Sequence, residues 1–238
     1  MGTRGAIATR VGGVDRVHYN HYDSYPSALG FSFLRDVLAM LQAEAEYKAK
    51  AVAIQLVDES STPTEDDRKK YAKFFQQVST GADWYALLRD LQGELKQTLD
   101  LGIGCKAHDD WLKDSLFCEY AYIINFDDRV VEFYKGFNKT SLDVQKGGRY
   151  AALKEPPQKR RDGTLHESEY FGVRLVAAIP FDNIKNLNDA DEKQLVGFVE
   201  YLFDEAAPDE DRETPPEYTD QVKSLVEATG AKVFIIKV

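Results

Sequence analysis

Cysteine is nearly missing: Cys105 and Cys118 are the two thiols among 238 residues. Two cysteines cannot form a disulfide framework, and neither sits in a zinc-ligand spacing. No apolar run approaches the ~20 residues of a membrane span, so no membrane partner is expected. The opening Met1-Gly2-Thr3-Arg4-Gly5-Ala6 lacks the apolar core of a secretory leader, and the expected location is cytoplasmic. Positive charge is also short. Thirty basic residues against 40 acidic ones give a net charge of -10, which argues against non-specific nucleic-acid binding as the main task. What the chain does have is 43% hydrophobic and 12% aromatic residues, enough to bury a core.

The order of elements reads as α+β, with a mainly antiparallel sheet built from an N-terminal hairpin and a central hairpin, packed with helices. Thr3 to Val11 and Val14 to Tyr22 are β-favouring and flank Gly12-Gly13, a pair suited to a primed two-residue turn. After Pro26, a helical stripe of Leu29, Phe33, Val37, Met40 and Leu41 runs to about Glu46. Residues 51–57 are ambiguous between strand and helix. Thr62 or Thr64 caps a helix, and a second cap at Thr80 to Asp83 opens one long helix carrying Trp84, Leu87, Leu88, Leu91, Leu95 and Leu99 to Gly102. Leu116 to Phe126 and Arg129 to Tyr134 form the central hairpin around Asp127-Asp128. Residues 135–169 are the longest irregular stretch, include Lys159-Arg160-Arg161, and could act as a lid. Gly172 to Ile179 is a strand, and Asn188 or Asp189 caps the helix that follows. The domain reading is one α+β domain over 1–203, an acidic linker at 204–214, and a helix (215–228) and strand (231–238) packed back on that domain.

Register carries the chemistry. With Gly12-Gly13 as the turn, paired residue numbers sum to 25, so Arg4 falls across from His21 and Gly5 across from Asn20. Alternation then places His21, Asp23 and Tyr25 on one side of the strand, and His18, Asn20, Tyr22 and Ser24 on the other. A guanidinium, an imidazole and a carboxylate thus gather at the open end of the hairpin, an acid/base or anion-holding set. Ser24 or Ser27, with the free N–H groups of the following helix start, could add an anion site. The same residues could equally be a polar strand end and helix cap that satisfy one another.

Other candidates compete. His18 and His21 have ligand-like spacing but face opposite ways on a strand, so no metal is expected; His108 or Glu119 would have to complete a site. Glu119 is the general-base candidate outside the hairpin if it is a buried partner of Arg4 or His21. Cys118, sharing a face with Tyr120 and Tyr122, reads as a small core residue. Trp84 and Trp111 read as core. Thr3 could serve as a nucleophile only after removal of Met1 and Gly2. No cofactor is expected.

The segments Gly2-Thr-Arg-Gly5, Tyr19-Asn-His-Tyr-Asp-Ser-Tyr-Pro-Ser-Ala-Leu-Gly30, Asp83-Trp-Tyr-Ala-Leu-Leu-Arg89 and Asp114-Ser-Leu-Phe-Cys-Glu-Tyr-Ala-Tyr-Ile-Ile-Asn125 carry a resemblance. Together they are similar to a family of uncharacterised proteins from bacteriophages, actinobacteria and fungi that open with Met-Gly-x-Arg and a Tyr-x-x-x-Asp-x-Tyr-Pro box. The resemblance covers most of residues 2–139 and brings no catalytic residues. It implies an intracellular accessory protein and admits a role in countering host defence by binding or cleaving a small signal molecule.

Three functions follow as expectations. The first is a small-molecule pocket for an anionic or nucleotide-like ligand, held by Arg4, Asn20, Tyr22, Ser24, Tyr25 and Ser27 beside His21 and Asp23. The second is a hydrolase acting on an amide or phosphoester bond, with His21, Asp23 and Glu119 as its acid/base set. The third is a protein-interaction module using the acidic segment 204–213, where six carboxylates face one arginine. A homo-oligomer stays open.

Overall fold

A computed structural model of the chain describes residues 2–74, 83–159, 162–207 and 218–234. The chain begins with β1 (Gly5–Val11) and β2 (Val14–Asn20), then α1 (Phe31–Met40), α2 (Glu44–Ala53) and β3 (Gln55–Asp58). Next come α3 (Glu65–Tyr71), α4 (Trp84–Leu87), α5 (Leu95–Leu101), β4 (Ile103–Lys106), β5 (Tyr120–Asn125) and β6 (Val130–Lys135). The remainder is α6 (Val144–Gly147), the small pair β7 (Gln158–Lys159) and β8 (Leu165–His166), β9 (Arg174–Pro180), α7 (Phe181–Ile184), α8 (Glu192–Glu205), α9 (Asp220–Thr229) and β10 (Lys232–Val233).

Among the described residues one eight-stranded sheet runs in the order β10-β9-β6-β5-β1-β2-β4-β3. The fold is α+β, but the sheet is mixed: β1 pairs parallel with β5, and β3 parallel with β4. Val11 lies opposite Val14 and Gly5 opposite Asn20, with Gly12 and Gly13 at φ +63° and +75° in the turn. Left-handed φ at two successive residues is what a primed turn demands, and glycine supplies it without a Cβ clash. The Asp127 carboxylate accepts from both glycine amides, at 2.8 Å each, and so ties this turn to the one between β5 and β6.

Alternation along β1 and β5 sorts two cores. Ile7, Tyr122, Ile124 and Phe133 face α1, α5 and α8, meeting Phe33, Leu34, Leu99 and Phe198. Ala6, Ala8, Ala121 and Ile123 point the other way, onto Leu112, Cys118, Tyr134, Tyr150 and Leu175. A third cluster fills the β3–β4 end, where Val57, Ile103 and Cys105 meet Tyr71, Trp84, Leu87, Leu88 and Leu91.

Several expectations need correction. The stripe after Pro26 is not one helix: a wide turn at Pro26–Gly30 leads into α1, and Ala43 (φ -134°) breaks it before α2. Trp84 to Leu99 likewise splits into α4, a tight turn at Arg89–Leu91 and α5, with Gly93 at φ +86° between them. Asp191, not Asn188 or Asp189, caps α8, with its side chain accepting from the Gln194 amide. Cys118 precedes β5, so it packs with Ala121 and Ile123 rather than with Tyr122. The acidic stretch begins inside α8, at Asp204 and Glu205. Residues 208–214 of that stretch lie outside the described residues, as do Thr80–Ala82, Arg160–Arg161, 215–217 and 235–238. Residues 135–169 are not wholly irregular, for they include α6 and the β7–β8 pair.

Gly5 is where the chain is tightest. A Cβ there would lie 2.4 Å from the Tyr120 carbonyl oxygen and 2.7 Å from the Ser24 Cβ. Both obstacles are fixed, so Gly5→Ala is expected to cost about 1–3 kcal/mol through forced backbone shifts, read from the midpoint of urea unfolding.

Candidate functional site

Strand β2 ends at Asn20, and from there the chain leaves the pleat. Tyr19 Oη and His21 Nδ1 share a 2.7 Å hydrogen bond, which orients the imidazole. The Tyr19 ring stands edge-on to Trp111 (5.1 Å between centroids), and the Trp111 indole donates to the Gly5 carbonyl at 3.3 Å. His21 also meets Tyr22 and Tyr85 edge-on, at 4.4 and 5.8 Å.

The opposing wall comes from the turn after β3. The Tyr85 amide donates to the Glu59 carbonyl at 2.9 Å and the Trp84 amide to the Ser61 carbonyl at 3.1 Å, which docks this turn on the start of α4. Asp83 caps α4 by accepting from the Ala86 amide at 2.9 Å. Tyr19, His21, Glu59, Ser60, Asp83 and Tyr85 line an open cleft of about 280 Å³. Arg89, one turn beyond Tyr85, lays its guanidinium over the rings of Tyr22 and Tyr85, at 4.3 and 4.8 Å.

The electrostatics push two groups toward each other. Partial burial, with Asp58 and Asp83 nearby, raises the Glu59 carboxyl above its ordinary value, against the opposing pull of Arg89. Burial and the guanidiniums of Arg89 and Arg4 hold His21 below its ordinary value, so its neutral ring is favoured. Burial and Glu59 drive the Tyr19 phenol up to about 12, which keeps it protonated. One oxygen of Glu59, Oε2, is shielded from solvent and has no hydrogen-bond partner among the described residues. Such an acceptor forfeits about 1–3 kcal/mol until a donor reaches it.

The residues expected from sequence divide around this cleft. His21 lines it, and Arg4 is close enough to act on His21 and Tyr19. The Arg4 guanidinium stacks on Phe117 at 4.6 Å. Asp23 does not join them. Its backbone turns left-handed (φ 50°), and its exposed carboxylate forms no ion pair with Arg4 or His21 among the described residues. Alternation could not be carried past the last paired residue of β2. Glu119 is half-buried and accepts from the Arg4 main-chain amide at 3.1 Å, which fixes the strand start rather than reaching His21.

Asn20 and Ser24 satisfy each other at 2.8 Å, with Asn20 also donating to the Tyr22 carbonyl, and Tyr122 donates to the Ser24 carbonyl at 2.9 Å. These groups build the loop from within. Tyr22 and Tyr25 are exposed, and Ser27 sits half-buried in the turn before α1. The helix-start amides expected to be free are spent: Ala28 and Gly30 donate to the Tyr25 carbonyl, and Leu29 to that of Asp23.

Glu59, Ser60, Asp83, Tyr85 and Arg89 were not among the expected site residues. A signal existed, for Tyr85 and Arg89 are four apart behind an Asp83 cap and so share one face. Among the described residues no three His, Cys, Asp or Glu side chains gather to hold a metal ion, and no helix is long and apolar enough to cross a membrane. Comparison with protein-family models, with curated proteins and with solved structures finds no match to this chain.

Proposed function

We propose that the cleft binds a small nucleotide-like molecule. A flat ring would lie against Tyr19 and Tyr85, its N–H edge donating to Glu59, with an anionic group directed toward Arg4 and Arg89. The observation that carries this reading is the Glu59 carboxylate, which lines the cleft together with His21 and holds one solvent-shielded oxygen, Oε2, that a rotation of the side chain would bring to a donor. A carboxylate oxygen without a donor, flanked by aromatic faces, suits a heterocycle that presents N–H groups. The volume, about 280 Å³, sits at the small end of the roughly 300–1,000 Å³ usual for ligand sites and favours a metabolite-sized occupant. The counter-defence role that the family resemblance admits would fit a ligand of this class.

Calorimetric titration with nucleosides and with their mono- and diphosphates tests it. Glu59→Gln is expected to weaken binding about 10- to 100-fold, in line with the roughly 1.5–3 kcal/mol of a hydrogen bond to a charged group. Arg89→Met should weaken the phosphorylated ligands more than the bare nucleosides. Absence of binding by the unaltered protein at millimolar ligand would end the reading.

A second reading, hydrolysis of a phosphoester or amide, rests on the opposite displacements of Glu59 and His21, since a raised acid and a lowered base come closer in proton affinity. In that case Glu59 and His21 replace Asp23 and Glu119 as the acid/base pair.

A further inference from the structure

Against β2, between Ile7, His18 and Tyr19 on one side and Leu88 and Leu91 on the other, lies a small cavity of about 10 Å³. Its walls include His18, Gln92, Thr98, Gly104 and Cys105. That volume is close to the roughly 10–15 Å³ a single water needs, and a water also requires two to four polar partners. Both are present. Among the described residues neither ring nitrogen of His18 has a hydrogen-bond partner, nor does Gln92 Nε2, and all three atoms are sealed from solvent. The Thr98 hydroxyl makes only a long 3.5 Å contact to the Leu91 carbonyl, so it can turn into the cavity as a third partner.

The orientation of Gln92 is set from outside. Arg89 Nη1 donates to Gln92 Oε1 at 2.9 Å, which leaves the Nε2 amino group as the end facing inward. We propose that this cavity is a binding site for one structural water, which accepts from Gln92 Nε2 and donates to a ring nitrogen of His18. The water completes a relay of hydrogen bonds from Arg89, at the cleft, to His18 in the core. Its place in the fold gives it a task. His18 opposite Lys106 is the paired position of β2 and β4, the seam that joins β3 and β4 to the rest of the sheet. Turning an unmade set of hydrogen bonds at that seam into a made one keeps the Glu59 wall of the cleft in register with the His21 wall.

The site does not depend on any ligand in the cleft, and its test is separate. Magnetic relaxation dispersion of water in a solution of the full chain counts long-lived internal waters, and a high-resolution crystal structure places them. The expected results are an ordered water within hydrogen-bond distance of both His18 and Gln92, and one long-lived water fewer in Gln92→Met. Methionine keeps the volume and removes the amide, so the fold should stand; a matching far-ultraviolet circular dichroism spectrum checks this. If Gln92→Met does not fold, Thr98→Val supplies the second variant, with the same loss expected. An unchanged water count in a folded variant, or a crystal structure in which the cavity holds no density or in which His18 and Gln92 bond directly, overturns the proposal.

Discussion

Arg149→Met is expected to lower stability by about 3–5 kcal/mol, the usual effect of removing one partner from a buried ion pair. Arg149 lies over the sheet face opposite α1 and α8, where one guanidinium serves four groups. Its Nη1 donates to Glu132 Oε1 at 2.8 Å and to the Tyr134 hydroxyl at 3.0 Å. Its Nη2 reaches Asp15 Oδ1 at 3.3 Å, and its Nε the Tyr150 hydroxyl at 3.0 Å. Glu132 is only 5% exposed. It accepts further bonds from Asn125 (2.9 Å) and Tyr134 (3.1 Å), but Arg149 is the cation beside it. Asp15 keeps Arg10 at 2.8 Å and the Tyr150 hydroxyl at 2.6 Å, so most of the penalty falls on Glu132. The double variant Arg149→Met/Glu132→Leu should therefore lose less than the sum of the single changes, because it leaves no uncompensated buried charge. Urea unfolding of the three variants measures this. A single-variant loss under about 1 kcal/mol would place the pair with exposed ion pairs, whose worth is of that order.

How much of this was legible depends on distance along the chain. The pairing of β1 with β2 follows from Gly12-Gly13 because a two-residue turn leaves one register, and the central pair follows from Asp127-Asp128 between two β-rich runs. The parallel pairing of β1 with β5 does not, since no local pattern encodes which distant strand fills an edge. The site shows the same division. Arg4 and His21 lie just past the last paired residues, Gly5 and Asn20, so extending the register by one step still puts them at the hairpin's open end. Asp23 was misplaced because alternation holds only while the strand is paired, and pairing stops at Asn20. Glu59 could not be read at all: it comes to the same cleft as His21 through the docking of the turn after β3 on α4, a tertiary event. Arg149, with partners 17 and 134 residues away, looked like one more charge in a polar stretch.

Acid should act on the molecule through His18. The ring is fully buried against Ile7, Leu88, Leu91, Gly104 and Cys105, and burial alone holds it down at about 4, against 6.5 for an exposed histidine. Among the described residues no charged side chain lines the cavity. Cys105, the other titratable side chain there apart from Tyr19, is raised to about 12 by its own burial, and Tyr19 is likewise raised, so both are neutral. Lys106, across from His18 in the ladder, sends its ammonium to Asp109 at the surface. The unfolded chain therefore takes up a proton below pH 6.5 that the folded chain refuses until about pH 4. This contribution is fully present above pH 6.5 and is lost as the pH falls through the window down to 4, with a slope of up to about 1.4 kcal/mol per pH unit and a total on the order of 3 kcal/mol. The carboxyls of Asp36, Glu59 and Asp114, which burial raises, respond in the opposite sense. They are common to the unaltered protein and to His18→Leu, so the difference between the two isolates the histidine. Urea unfolding of both proteins from pH 7.5 to 4 should show the unaltered chain losing stability more steeply below about pH 6.5. Parallel curves would mean that His18 already carries a proton, or meets a carboxylate, in the folded state.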